Sequence, residues 1–307
     1  MAPELRHLRY LLAVAEHGSF TRAAEDLRVS QPTLSQQVRQ LERTVGAQLL
    51  DRTGRTVRLT DAGRAYTHYA RRALRDLAAA ERAVLDVADL SRGTLRLAVT
   101  PTFTAYLVGP LVAELHTRHP GITLDVRETT QDRIESGLLA DTVDLGIAFD
   151  GPRPAGIAST ALFTETLSLV VGDHRPGAAA EPGAPRSVQE LTAQQLALLS
   201  ADFATRGHID AYFAAHRVRP HIAVEANSIQ ALTEIVRRTP LATVLPDAIT
   251  HDHPHLTPVP LEPPLPARTV TLLRREGAYR SAAARAFTDL TRELVRARGY
   301  APPAPAP

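Results

Sequence analysis

The chain has 307 residues, a formal net charge of +2 and no Cys. That length allows two or three domains, the small net charge rules out a polycation that coats nucleic acid, and the lack of Cys excludes disulfides, thiol nucleophiles and thiolate metal sites. Charge is unevenly spread, with 14 Arg against 11 acids through Ser91 and 21 against 22 thereafter. All 35 basic residues are Arg, a bias that codon usage in GC-rich DNA explains better than the bidentate fit of Arg to phosphate. The opening MAPELRHLRYLLAVAEHG is interrupted by His7, Arg9 and Glu16, so we read neither signal peptide nor membrane span and expect a cytoplasmic protein.

Leu5, Leu8, Leu12 and Ala15 recur at helical spacing, predicting a first amphipathic helix that stops at Gly18. Ser19 can cap a short second helix burying Phe20, Ala23, Ala24 and Leu27. After Arg28 and Val29, Ser30 can cap a third helix with Pro32 in its first turn, running to Val45 before Gly46. Leu34, Val38, Leu41 and Val45 share one stripe, so Gln36, Arg39, Gln40 and Arg43 point outward, with Gln31, Thr33 and Ser35 flanking the exposed start. A face of amides, hydroxyls and guanidiniums can read base edges and grip phosphates together. Thr53 and Gly54 then turn between two strand-like pieces carrying Arg52, Arg55 and Arg58, which read as a wing against the sugar-phosphate backbone.

From Thr60 to about Leu90, Tyr66, Tyr69, Ala73, Leu77, Ala80, Val84 and Val87 step by three or four residues, a seam for a partner helix. About 30 residues of helix span about 45 Å, which overhangs so small a unit and favours dimerisation. Past a linker at Ser91 to Gly93, strands at 94–99, 122–128 and 143–149 alternate with helices at 106–119 and 131–140. Such alternation predicts a parallel sheet with helices on both faces. One strand over 162–171 and a loop over 176–186 lead to a second lobe with strands at 196–200, 222–226 and 242–245 and helices at 206–216 and 228–238. A proline-rich return over 255–266, a strand at 269–273 and a helix at 280–298 close the fold. The divisions expected are 1–59, 60–91, and 92–300 with lobe I at 92–162 and 268–300 and lobe II at 163–267. The tail 301–307, APPAPAP, is expected to be disordered.

His251, His253 and His255 alternate in HDHPH, but Pro254 and a proline-rich setting favour an exposed loop over a metal site. No Gly-rich phosphate loop, HExxH or GxSxG occurs, and neither enzyme activity nor a cofactor is expected. A rival reading is a solute-binding or enzymatic α/β protein whose first helices serve only to oligomerise.

The phrases SQPTLSQQVRQLE and RLTDAG at this spacing, followed by a long helix and two α/β lobes, resemble the LysR-type transcriptional regulators over essentially the whole chain. One departure is Leu50, where that family usually places Phe. The resemblance implies a winged helix-turn-helix, a linker helix and a two-lobed periplasmic-binding-protein-like effector domain, assembled as a homodimer or homotetramer. It implies binding to double-stranded promoter DNA, with a small molecule in the interlobe cleft altering DNA bending or recruitment of RNA polymerase. By motif match, Gln31, Pro32, Thr33, Ser35 and Gln36 would approach base edges or adjacent phosphates, and Arg52 and Arg55 would be wing contacts. More narrowly, VTPTFTAYLVGPL, VDLGIAFD, LLSADFATR and VEANSI are similar to the cyanate-responsive activators of that family.

Each of those phrases falls where a strand gives way to a helix. Thr100, Pro101, Thr102 and Phe103 follow the first strand, Thr129 and Thr130 the second and Phe149 the third, while Ser200, Phe203, Asn227 and Ser228 come from the other lobe. Singly, such hydroxyls and amides are helix caps. Converging on one cleft, they would bind an effector, and with backbone N–H groups at helix starts they suit a small anion such as cyanate.

Overall fold

The computed structural model describes residues 3–54, 56–85, 93–173, 185–251 and 253–303. They form two compact units, Met1–Leu85 and Asp86–Pro307.

In the first unit, α1 (Leu5–His17) ends at Gly18, whose φ of 59° is left-handed. Its buried stripe is His7, Leu8, Leu11 and Val14, not the one anticipated, and Leu5 is 47% exposed. Apolar residues nearly encircle this helix, so two registers were open and packing chose between them. Ser19 caps α2 (Phe20–Asp26), and Ser30 caps α3 (Gln31–Val45) by accepting from Thr33 N at 3.2 Å. Leu34, Val38 and Leu41 are fully buried, whereas Val45 is exposed because α3 outruns its core by a turn. The wing strands β1 (Leu50–Asp51) and β2 (Arg58–Leu59) pair antiparallel. Leu50 is buried where the family usually places a larger ring.

Helix α4 (Asp61–Leu85) starts where the Thr60 hydroxyl accepts from Gly63 N at 2.9 Å. A Cβ on Gly63 would stand 2.0 Å from the Leu49 carbonyl oxygen, so only Gly lets α4 pack this closely beneath the wing. Within α4, Ala70 is buried in its own unit, while Tyr69, Ala73, Leu77 and Ala80 form an exposed, largely apolar face. The Val84 side chain, Val87 and the linker residues Ser91 and Arg92 lie outside the described residues.

The second unit holds two five-stranded sheets. In the first, β3 (Gly93–Val99) lies parallel to β4 (Ile122–Glu128) and β5 (Leu145–Phe149), and β14 (Arg268–Arg275) runs antiparallel between β5 and β6 (Ile157–Glu165). In the second, β9 (Gln195–Leu199) lies parallel to β10 (His221–Ala226) and β11 (Ala242–Pro246), while β7 (Leu167–Gly172) is antiparallel to β11 and β12 (Leu256–Val259). Both sheets are therefore mixed rather than purely parallel. The chain crosses between lobes twice, and each crossing delivers an antiparallel strand. The continuous strand expected over 162–171 is broken at Thr166, so β6 stays in lobe I through Glu165 and β7 begins lobe II. A short parallel pair, β8 (Arg186–Ser187) with β13 (Leu261–Glu262), closes the far side of lobe II.

Helices cover the sheets: α5 (Pro101–Phe103), α6 (Gly109–Arg118), α7 (Gln131–Leu139), α8 (Ala204–Ala215), α9 (Ile229–Arg238), α10 (Asp247–Thr250) and α11 (Ala282–Ala297). Between α5 and α6, Thr104–Val108 is a π-helical turn. Pro110 cannot donate to the carbonyl of Tyr106 four residues back, and Arg298 Nη1 donates to that oxygen instead at 3.4 Å. After α11, Tyr300 stacks on Phe163 with ring centroids 4.6 Å apart. Thr164 then donates through its backbone N to Ala301 O at 2.9 Å and through its hydroxyl to Pro302 O at 3.0 Å. The first tail residues are thus held as a strap along β6, in place of the disorder anticipated from composition, and 304–307 lie outside the described residues.

Candidate functional site

Each unit presents one site. On the first, Gln31, Pro32, Ser35, Gln36 and Arg39 from α3 line a groove of about 850 Å³ whose other wall includes Gln48 and Arg52. Pro32 pre-sets the first turn and Ser30 caps it, so the start of α3 is rigid. Thr33 is exposed outside that lining, with its hydroxyl 2.7 Å from that of Ser30. Arg55 lies outside the described residues.

Arg52 has a different setting from a free wing cation. Its Nη2 donates to Glu42 Oε2 at 2.7 Å, and its guanidinium lies 5.4 Å from the Phe20 ring centroid. Glu42 Oε1 meanwhile accepts from Leu49 N at 3.0 Å and Leu50 N at 3.1 Å. Glu42 therefore fastens α3 to the wing and offsets the charge of Arg52. Arg39 and Arg43 are both exposed in the same lining, Arg43 donating through Nη2 to the neutral Gln40 Oε1 at 2.7 Å, so neither shares the carboxylate that offsets Arg52. His7 adds a second fastening: its Nδ1 accepts from Glu4 N at 3.2 Å, which leaves Nε2 to donate to Gln37 Oε1 on α3 at 2.8 Å.

The second site is a cavity of about 540 Å³ between the two lobes. Thr100, Pro101, Thr102, Thr129 and Phe149 from lobe I, and Phe203 and Asn227 from lobe II, all line it. Three expected members do not. Ser228 accepts from Ala231 N at 3.2 Å as the cap of α9 and lines a neighbouring cavity instead. Phe103 is fully buried behind the wall, its ring centroid 4.9 Å from that of Phe149, and Ser200 turns its hydroxyl to Asp202 Oδ1 at 2.5 Å.

Thr100 Oγ1 is buried and has no hydrogen-bond partner among the described residues, although Thr100 as a whole is only 4% exposed. It does not cap α5. A buried hydroxyl left unpaired costs about 1–3 kcal/mol, which a bound ligand at the cavity would recover. The N-terminal ends of α7 and α8 also face the cavity through Gln131 and Ala204.

Most of the charge there comes from residues that sequence reasoning did not place in the cleft. Glu128, Asp132 and Asp202 line the cavity, opposed by one lining guanidinium, Arg133. No motif marks Arg133; its only signal is its place in the first turn of α7, three residues past Thr130. A neighbouring cavity of about 460 Å³ shares Pro101, Glu128, Phe203 and Asn227 and reaches His253. His255 Nδ1 lies 3.1 Å from Asp173 Oδ2, and no group of three metal-ligating residues converges among the described residues. Nor is any described helix long and apolar enough to cross a membrane.

Comparison with known proteins covers both sites. Residues 5–64 match the bacterial regulatory helix-turn-helix protein, lysR family, and residues 88–296 match the LysR substrate binding domain. The nitrogen assimilation regulatory protein nac of Klebsiella aerogenes is 32% identical over 246 residues, 80% of this chain and 78% of that one. Among solved structures, full-length OxyR from Pseudomonas aeruginosa, carrying a point substitution, superposes with a TM-score of 0.69 at 24% identity, covering 99% of this chain and 100% of that one. Full-length CbnR complexed with its target DNA gives 0.55 at 25% identity, over 95% and 99% of the two chains.

Proposed function

Since the chain belongs to the LysR family of bacterial transcriptional regulators, we propose that it reads promoter DNA with the groove face of α3 and that a small anion, with cyanate as the named candidate, sets its state from the interlobe cavity. The observation that carries the effector reading is convergence. All four cyanate-associated phrases, separated by up to about 130 residues, contribute to one cavity: Thr100 to Thr102, Phe149, Ala201 to Ala204, and Asn227. The unpartnered Thr100 hydroxyl supplies a donor at its wall. Arg133 supplies one positive charge, while Glu128, Asp132 and Asp202 oppose further negative charge, which favours a monoanion over a dicarboxylate. Lacking Cys, the protein cannot sense through a thiol.

DNA recognition divides accordingly. Gln31, Ser35 and Gln36 specify bases, and Arg39 joins Arg52 and Arg55 at phosphates. The CbnR complex with target DNA supports a DNA-bound state for this architecture. Pairing through the exposed face of α4, at Tyr69 and Leu77, would set two α3 helices on a repeated or palindromic operator. Work on chromosomal DNA fits the cytoplasmic location expected from sequence, and activation would act through RNA polymerase. Calorimetry of the purified chain with potassium cyanate, followed by a gel shift on the intergenic region beside its gene, tests both halves. Binding of succinate but not cyanate would reject the monoanion reading, and no shift at low salt would reject promoter binding.

A further inference from the structure

Behind the cavity wall, a connected set of buried polar groups joins the two lobes. Thr102 Oγ1 and Thr205 Oγ1 are 3.0 Å apart. Arg268 Nη2 donates to Thr205 Oγ1 at 3.0 Å and Arg268 Nε to Glu165 Oε2 at 2.6 Å, while the Tyr106 hydroxyl donates to Glu165 Oε1 at 2.6 Å. Arg268 also lies over the outer face of Phe149, 3.7 Å from its ring centroid. Glu165 and Arg268 are cross-strand partners at the rung where β6 ends and β14 begins. The pair therefore stands at both crossings at once.

Helix α8 of lobe II is tied to the return crossing along one face. Thr205, His208 and Tyr212, spaced three and four residues apart, meet Arg268, Pro266 and Pro263 in turn: Arg268 donates to the Thr205 hydroxyl, His208 Nε2 lies 2.7 Å from Pro266 O, and the Tyr212 hydroxyl donates to Pro263 O. Burial raises the Tyr106 hydroxyl well above its ordinary range, with the negative charge of Glu165 adding to the effect, so it stays a neutral donor. An ion pair this deeply buried rarely outperforms apolar packing in stability. Its geometry suits a different task, since Thr102 and Phe149 face the cavity on one side and this network on the other.

We propose that Arg268 is the positioning residue that couples occupancy of the cavity to the angle between the lobes. A ligand that shifts Phe149 moves the guanidinium stacked on it, and one that shifts Thr102 reaches the same guanidinium through the Thr205 hydroxyl. The guanidinium is fixed to the strand ends through which the lobes are joined, so the shift is passed to the crossings and to α8. This rests on the cavity being the effector site. The planar fork of Arg is required, because one group must satisfy a carboxylate, a hydroxyl and a ring face in different directions.

The test uses the full-length chain with Thr205→Val, Thr205→Ser and Arg268→Lys. Hydrogen exchange without ligand is followed at 101–108 in lobe I, and promoter bending is followed against potassium cyanate, with affinity measured separately. Thr205→Val should speed exchange at 101–108 at least tenfold and cut the bending response at least fivefold while cyanate affinity changes less than threefold. Thr205→Ser should restore both, and Arg268→Lys, which keeps the charge without the fork, should behave as Thr205→Val does. Exchange at 101–108 unchanged in both Thr205→Val and Arg268→Lys overturns the coupling, as does a response that falls only in step with affinity. If wild type binds no cyanate, the effector assignment fails while the exchange comparison still decides the coupling.

Discussion

The two sites are built on opposite principles. The groove on the first unit draws on one stretch, Gln31 to Arg52, whose side chains are mostly exposed and whose framework is local: two serine caps, a proline in the first turn and a left-handed glycine at the end of α3. The interlobe cavity draws on five separate junctions, and its most informative atom, Thr100 Oγ1, is buried. The first should therefore lose function one contact at a time, with the unit intact, whereas the second should trade stability against affinity at a single position.

The largest effect expected is a test of the first unit's framework. Gly63→Ala would drive a Cβ to within 2.0 Å of the Leu49 carbonyl oxygen, and overpacking of this kind costs about 1–3 kcal/mol or more. Thermal unfolding should show the first unit melting earlier and promoter affinity falling with it, while effector affinity at the other unit is kept. A loss at both sites alike would mean the units are not energetically separable.

Next in size is Thr100→Val. Removing an unpaired buried hydroxyl should raise the melting temperature of the ligand-free protein, by about 1 kcal/mol of stability, and lower effector affinity about tenfold or more, since a hydrogen bond to a charged group contributes about 1.5–3 kcal/mol. Promoter binding without effector should not change. Calorimetry and melting curves that move in the same direction would refute the trade.

Gln31→Ala should then relax sequence preference, costing about 1–3 kcal/mol against the specific site only. Arg39→Ala should weaken all DNA equally and lower the salt slope by about 1. Salt titrations on specific and random duplexes separate the two, and equal losses from both substitutions would end the division of labour. The smallest effect is expected for Arg52→Ala. Because Arg52 is paired with Glu42, its removal should cost about 1 kcal/mol or less in stability and change the salt slope by less than Arg39→Ala does.

These contrasts also explain what was legible. Ser19, Ser30, Pro32 and Gly46 act within a turn of themselves, so their roles could be read from spacing, and the strand-to-helix junctions that form the cavity were readable for the same reason. Errors arose wherever a distant residue decided. The register of α1 was settled by packing against α2, α3 and α4 together, and the break at Thr166 was invisible because apolar residues continue on both sides of it. Phe103 shares a phrase with Thr102, yet the turn of the helix sends one to the core and the other to the cavity. Glu165 and Arg268 lie 103 residues apart, and nothing local distinguishes them from surface charges.

The strap formed by Tyr300 to Pro302 bears on handling of the protein. Strand β6 is the last in its sheet, and an uncovered strand edge is a template for unwanted self-association. By occupying Thr164, the strap shields that edge one residue from Glu165. A purification handle fused after Pro307 would hang from this cover, so the choice of terminus for a tag is also a choice about solubility and about the free movement of the lobes.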